Sequence, residues 1–337
     1  MKNNLRRVKR LVRRLFMRLL LHSLQKLFLL SPWARKRISL GYATKNPRHM
    51  DGLGAQLQRV IAVRGLALFW GLSSWQPAIQ RIAIHPLDGF ESKPQVSLYL
   101  KQVNELIDGK QLEEGQKIIY REELRFFQML KVLLKASFVS KQVVVTVSLP
   151  FNFVDSNPQI YSLGASQYRS RMKNHLAVNE IPNIAIHHRW GVGNTSIQPG
   201  QKISRSVDLE RFRNLIENQF GDSLFQEITI FTDAPPNSMK FTPGKDYEES
   251  WKSTAGFSPQ GISILGQSED EFNQIFPGAT VIRGGNPLET LARISAAKKL
   301  VLSNSSFGYV AALLSIDSEI FLPQEFWHPA LSNWKSF

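Results

Sequence analysis

The chain of 337 residues contains no cysteine. That excludes disulfide staples, thiolate-held zinc, iron–sulfur clusters and a thiol nucleophile together, and is compatible with a reducing compartment. No Asp-x-Asp pair is present to hold a donor-bound divalent cation. No uncharged apolar run reaches the roughly 20 residues of a spanning helix. Acid is missing from the start of the chain: Met1 to Met50 carries fourteen Lys or Arg, and Asp51 is the first acidic residue. The remainder holds 28 basic and 27 acidic residues, so the formal charge of +15 belongs to an arm on a nearly neutral body. Nucleic-acid enzymes more often spread their basic residues over the body, so no nucleic-acid partner is expected.

Within the arm, Leu5, Val8, Val12, Leu15, Phe16, Leu19, Leu20, Leu24 and Leu27 recur at helical spacing. Arg6, Arg7, Lys9, Arg10, Arg13, Arg14 and Arg18 fall largely on the other side, and Pro32 ends the pattern. This reads as a cationic amphipathic helix of the kind that lies in an anionic membrane surface, through residues 1–37. A helix packed on the body and an Arg-rich transit peptide are the other readings. The uncharged core and small-residue cleavage site of a signal peptide are missing, so the expected location is cytoplasmic and peripheral to a membrane.

Helical patterns follow at Ala55–Phe69, Ser97–Ile107 and Tyr120–Ala136, and Val143–Leu149 reads as a buried strand. Residues 150–180 have weak periodicity. Beyond them Asn183–His188, Glu227–Thr232, Ala279–Ile282, Lys299–Leu302 and Glu319–Leu322 are short β-branched or apolar runs. Helical segments at Asp208–Gln219, Glu269–Ile275, Pro287–Ala297 and Ser306–Leu314 lie between most of them, and Asn286, Pro287 and Glu289 supply a cap, an N1 proline and an N3 acid. This alternation predicts an α/β fold with a parallel sheet, whose ligands bind beyond the carboxyl ends of the strands.

Three segments stand where such a site belongs. Asp51-Gly52-Leu53-Gly54-Ala55-Gln56 precedes a helix, where glycines admit close backbone approach and a helix N-terminus directs amides at an anion; a plain turn is the bland alternative. His187-His188-Arg189-Trp190-Gly191-Val192 ends a strand. Adjacent strand residues face opposite ways, so His187 and His188 are not a shared metal site. Ser303-Asn304-Ser305-Ser306-Phe307-Gly308-Tyr309 joins a strand to a helix, as an anion cradle or as a simple N-cap.

Taken in order, these segments resemble the signature of the α-1,2-fucosyltransferases, glycosyltransferase family eleven, and of the wider GDP-fucose enzymes. The family's versions are Gly-Gly-Leu-Gly-Asn-Gln, His-x-Arg-Arg-Gly-Asp and Ser-Asn-Ser-(Ser/Thr)-Phe-Ser-Trp-Trp. Departures include Ala55 for Asn, Trp190 for Arg and Val192 for Asp. Ile228–Asp233 is similar to the family's strand ending in Ser/Thr-Asp, and Ile320–Pro323 with Trp327 to its closing strand.

The resemblance implies a GT-B fold, two Rossmann-like domains facing a cleft. Residues 1–40 would form the arm, 41–175 an acceptor-side domain and 176–337 the nucleotide-sugar domain. It implies inverting transfer of fucose from GDP-fucose to a glycan hydroxyl, with no cofactor and no metal. Arg189 would stabilise the leaving diphosphate. Gly52, Gly54, Gln56, His187, Arg189, Asp233, Ser305, Ser306 and Phe307 would bind the donor. Asp51 is offered as base, a turn-former being its other reading. A nucleotide-sugar-binding protein without catalysis is the alternative function, and a nucleic-acid binder acting through the arm the third.

Overall fold

A computed structural model of the chain describes residues 2–43, 52–84, 88–111, 117–138, 142–175, 181–189, 194–198, 201–204, 207–234 and 269–337. Its first elements are α1 (Lys2–Leu29), α2 (Pro32–Arg37), β1 (Ile38–Tyr42), α3 (Leu53–Trp70), β2 (Ser73–Ser74) and α4 (Lys93–Ile107). There follow β3 (Lys117–Glu123), α5 (Phe126–Phe138), β4 (Val143–Leu149), α6 (Phe151–Val154) and α7 (Gln159–Met172). The second half runs β5 (Ile184–His188), β6 (Asn194–Gln198), β7 (Gln201–Ser204), α8 (Leu209–Phe220) and β8 (Ile228–Thr232). It closes with α9 (Glu269–Ile275), β9 (Thr280–Arg283), α10 (Pro287–Ala296), β10 (Lys299–Leu302), α11 (Ser306–Leu314), β11 (Glu319–Leu322) and β12 (Lys335–Ser336).

The chain divides into two compact units. The first comprises residues 1–47, 57–80 and 104–168; the second comprises 48–56, 81–103 and 169–337. Each is built on its own parallel sheet, so the expected α/β class with two sheet-based units is what the chain forms.

In the first unit the strand order is β2-β1-β4-β3, every pairing parallel. The β4 sequence VVVTVSL is buried along nearly its whole length. A continuous β-branched run, rather than an alternating one, is what a parallel strand covered on both faces requires. Two expectations are corrected here. Tyr120–Ala136 is not one helix: β3 occupies Lys117–Glu123 and the helix begins at Phe126. As an edge strand β3 keeps most of its side chains partly or fully exposed, so its charged residues do not break the pattern that continues into α5. The arm also ends earlier than residue 40, because Ile38–Leu40 are already strand.

The second half of α1 is fastened to this unit. Leu21, Leu24 and Phe28 are wholly buried, the Trp70 indole N–H donates to the Leu21 carbonyl (3.2 Å), and the Gln25 amide donates to that of Phe69 (2.9 Å). For this half the packed-helix reading holds. Among the described residues no helix is long and apolar enough to cross a membrane.

The second unit carries a six-stranded sheet in the order β12-β11-β10-β5-β8-β9, all parallel. The chain enters at β5, adds β8 and β9 on one side, then crosses back to lay β10, β11 and β12 on the other. This is the 3-2-1-4-5-6 doubly wound order, and β5 and β10 flank its topological switch point. Ile184 and Ile186 pack with Phe212, Ile216, Phe272 and Phe276 on one face of the sheet. The α10 cap forms as the sequence predicts, Asn286 accepting the Leu288 N–H at 3.0 Å ahead of Pro287 at N1.

Candidate functional site

At the carboxyl ends of β8, β5 and β10, three adjacent strands of the second unit, the chain presents Asp233, Arg189 and the Ser303–Ser306 segment. Strand alternation sorts the histidines of β5. His188 turns into the core, its Nδ1 2.9 Å from Thr232 Oγ1 and its ring edge-on to Phe212 and Phe272. His187 turns the other way, its Nδ1 3.1 Å from Ser303 Oγ and its ring centre 5.8 Å from that of Phe307. Burial holds both imidazoles down at about 4, against the pull of Asp233; Arg189 and His188 push His187 further down, and Arg283 does the same to His188. Both are neutral at physiological pH.

Ser303 is fully buried, and its Oγ accepts the backbone N–H of Arg189 at 2.8 Å. One hydroxyl thus ties the end of β5 to the end of β10 across the switch point. The Arg189 guanidinium forms an ion pair with Asp233, both side chains being partly exposed. Beside them, Arg283 at the end of β9 donates to the Ala234 carbonyl (2.8 Å) and lies over the Phe272 ring. Arg283 was not among the candidate residues read from the sequence, and Ser303 stood in the third segment without a role of its own. Ser303 had a signal there, being the first residue past a switch-point strand.

The third segment starts α11. Ser305 is its N-cap, the hydroxyl oxygen accepting the Phe307 N–H at 3.2 Å, and Ser306 is its first helical residue. Capping uses an oxygen lone pair, so the Ser305 hydroxyl keeps its proton for donation to an anion. The helix contributes a partial positive charge at this end.

The glycine segment joins the same place. A Cβ on Gly54 would stand 2.4 Å from the Phe307 Cα and 2.6 Å from its backbone N, so only glycine permits this approach of α3 to the first turn of α11. Gly52 is open by comparison, with the Ala83 carbonyl at 4.0 Å its nearest neighbour. The Gln56 side chain is buried and donates to the Arg81 carbonyl at 2.9 Å. The structure thus brings together Gly54 with Phe307, His187 with Ser303, and Arg189 with Asp233. Asp51, Trp190 and Val192 lie outside the described residues. Among the described residues no group of three or more His, Asp or Glu is placed to hold a metal ion.

No protein-family model matches the chain, and no curated protein matches its sequence. Solved structures similar to it include the E. coli heptosyltransferase WaaC with ADP-2-deoxy-2-fluoro heptose, at 11% identity over 89% of this chain and 92% of that one, TM-score 0.39. POFUT1 in complex with GDP is 12% identical over 83% and 94%, TM-score 0.39. A point mutant of Arabidopsis thaliana FUT1 in complex with GDP is 13% identical over 82% and 68%, TM-score 0.33. These likenesses are loose, and the functional reading rests on the residues.

Proposed function

We propose that this chain is a GT-B glycosyltransferase whose second unit binds a nucleoside diphosphate sugar, GDP-fucose by the resemblance of its motifs, and transfers the sugar with inversion to a glycan hydroxyl. The observation that carries the reading is the coupling at the switch point, where Ser303 Oγ takes the Arg189 N–H. The second and third motif segments meet there, and the glycine segment packs on Phe307 through Gly54. Open doubly wound sheets bind their ligands at this place.

In the proposed reaction Arg189 receives the diphosphate, since a guanidinium fork suits two phosphate oxygens and stabilises charge on the departing group. Asp233 holds the guanidinium in position before donor arrives. Ser305, Ser306 and the end of α11 complete the anion cradle. His187 stays neutral, offering a hydrogen bond rather than a charge. Asp51 is the proposed base for the acceptor hydroxyl, acceptor binding falls to the first unit, and no metal takes part.

Turnover of a panel of nucleotide sugars with mixed glycan acceptors tests the reading. Release of GDP from GDP-fucose that depends on acceptor supports it; no turnover of any donor overturns it. The departures at Ala55 and Val192 favour a second reading, a nucleotide-sugar-binding protein without catalysis. Its mark is donor binding with no turnover.

A further inference from the structure

Three helices of the first unit pack on one another: α1 on α2, α1 on α5 and α2 on α5. Their sequences hold nine, three and two Lys or Arg respectively, and not one Asp or Glu. Arg18, Lys26, Arg35, Lys36, Lys131 and Lys135 are exposed. The nearest acid on the adjoining chain is the Glu122–Glu123 pair before α5, and Arg125 sits 3.8 Å from Glu123.

Two of these helices, α1 and α5, leave large apolar side chains in water. In α5, Met129, Val132, Leu133 and Ala136 are buried, yet Phe127, Leu134 and Phe138 are 75%, 62% and 87% exposed. Spaced i, i+7 and i+11, with Lys131 between them at i+4, these residues form one stripe opposite the packed side. In α1, Leu21, Leu24 and Phe28 make the packed stripe. Val12, Leu15, Phe16 and Leu19 are each more than half exposed. Leu19 and Leu21 are two positions apart, roughly 200° around a helix, so the exposed stripe faces away from the packed one. Each helix is apolar on two opposite sides, and the described residues cover only one.

We propose that α1 and α5 together form a docking surface for an anionic lipid bilayer, the apolar stripes entering the interface and the surrounding cations meeting lipid phosphates. This is independent of the sugar-transfer reading, and it adds α5 to the arm that the sequence points to. Charge decides among occupants. A second copy of the chain would bring the same acid-free face and be repelled. A nucleic acid would neutralise the cations but leave Phe127, Leu134 and Phe138 in water. An anionic bilayer satisfies both, as for helices lying in a membrane interface.

The test uses the full chain, because removing α1 would take Leu21, Leu24 and Phe28 from the core. Co-sedimentation is measured with phosphatidylcholine vesicles, with and without phosphatidylglycerol, for wild type, Phe127→Ser/Phe138→Ser and Lys131→Glu/Lys135→Glu. Because these side chains are exposed, all three forms should melt alike. Wild type is expected to bind the anionic vesicles, more weakly as salt rises, and each variant at least tenfold more weakly. Equal binding by wild type and the α5 variants removes α5 from the surface. Equal binding to both vesicle types, or to neither, overturns the proposal. So does a concentration-dependent dimer that the Phe127→Ser/Phe138→Ser substitution dissolves, because the stripe then covers itself.

Discussion

The backbone N–H of Arg189 donates to the buried hydroxyl of Ser303 at 2.8 Å, and the same oxygen lies 3.1 Å from His187 Nδ1. Ser303 therefore fixes where the chain leaves β5 and, with it, where the Arg189 side chain starts. Ser303→Ala leaves a partly buried amide without its acceptor, a loss of about 0.5–1.5 kcal/mol. Urea unfolding should show it, and GDP affinity should fall as well. A destabilised protein with unchanged GDP affinity would reduce Ser303 to a purely structural tie.

Gly54 and Gly52 should respond differently to alanine. At Gly54 the new Cβ meets the Phe307 backbone, which yields only if α3 or the start of α11 moves. Overpacking of this kind costs about 1–3 kcal/mol. Gly52→Ala meets nothing closer than 4.0 Å and should melt close to wild type. Equal melting temperatures for the two variants would contradict the close approach of Gly54 to Phe307.

The two histidines give stability a pH dependence of definite sign. Both are held near 4 in the fold, below the roughly 6.5 of an unfolded chain, so between these values the unfolded state binds more protons. Their contribution is complete above about 6.5 and is lost as pH falls toward 4, by up to about 1.4 kcal/mol per pH unit for each histidine. Denaturant midpoints from pH 7.5 to about 4.5 should fall accordingly, and a His187→Gln/His188→Asn variant should show a flatter profile. An equally steep fall in that variant would assign the effect to carboxylates.

The cap and the cradle can be separated at the start of α11. Ser305→Ala removes the side-chain acceptor of the Phe307 N–H and should cost about 1 kcal/mol of stability. Ser306→Ala removes no capping bond, so its melting should stay near wild type while turnover drops. If Ser305→Ala lowers only the melting temperature and Ser306→Ala changes neither property, these serines do not touch the donor.

Much of the second unit was legible in the sequence because its signals are local. The apolar runs Lys299–Leu302 and Glu319–Leu322 became β10 and β11 at the expected residues, and Asn286-Pro287 caps α10. Strand alternation alone separates His187 from His188. Which of them faces the site depends on partners far along the chain, Ser303 for one and Thr232 for the other. The approach of Gly54 to Phe307 was hidden for the same reason: a glycine before a helix carries no trace of the backbone it will meet. In the arm, helical spacing was legible, but the apolar residues serve two opposite faces. Only the packing of Leu21, Leu24 and Phe28 tells them apart.

The most direct measurement is a calorimetric titration of GDP into the wild-type chain and into Arg189→Ala. The account predicts binding by wild type and at least a tenfold loss in the variant, from a charge-assisted phosphate contact worth about 1.5–3 kcal/mol. The variant should remain folded. Wild type that binds no GDP, or a folded Arg189→Ala that binds it equally well, would contradict a diphosphate site at the ends of β5 and β10.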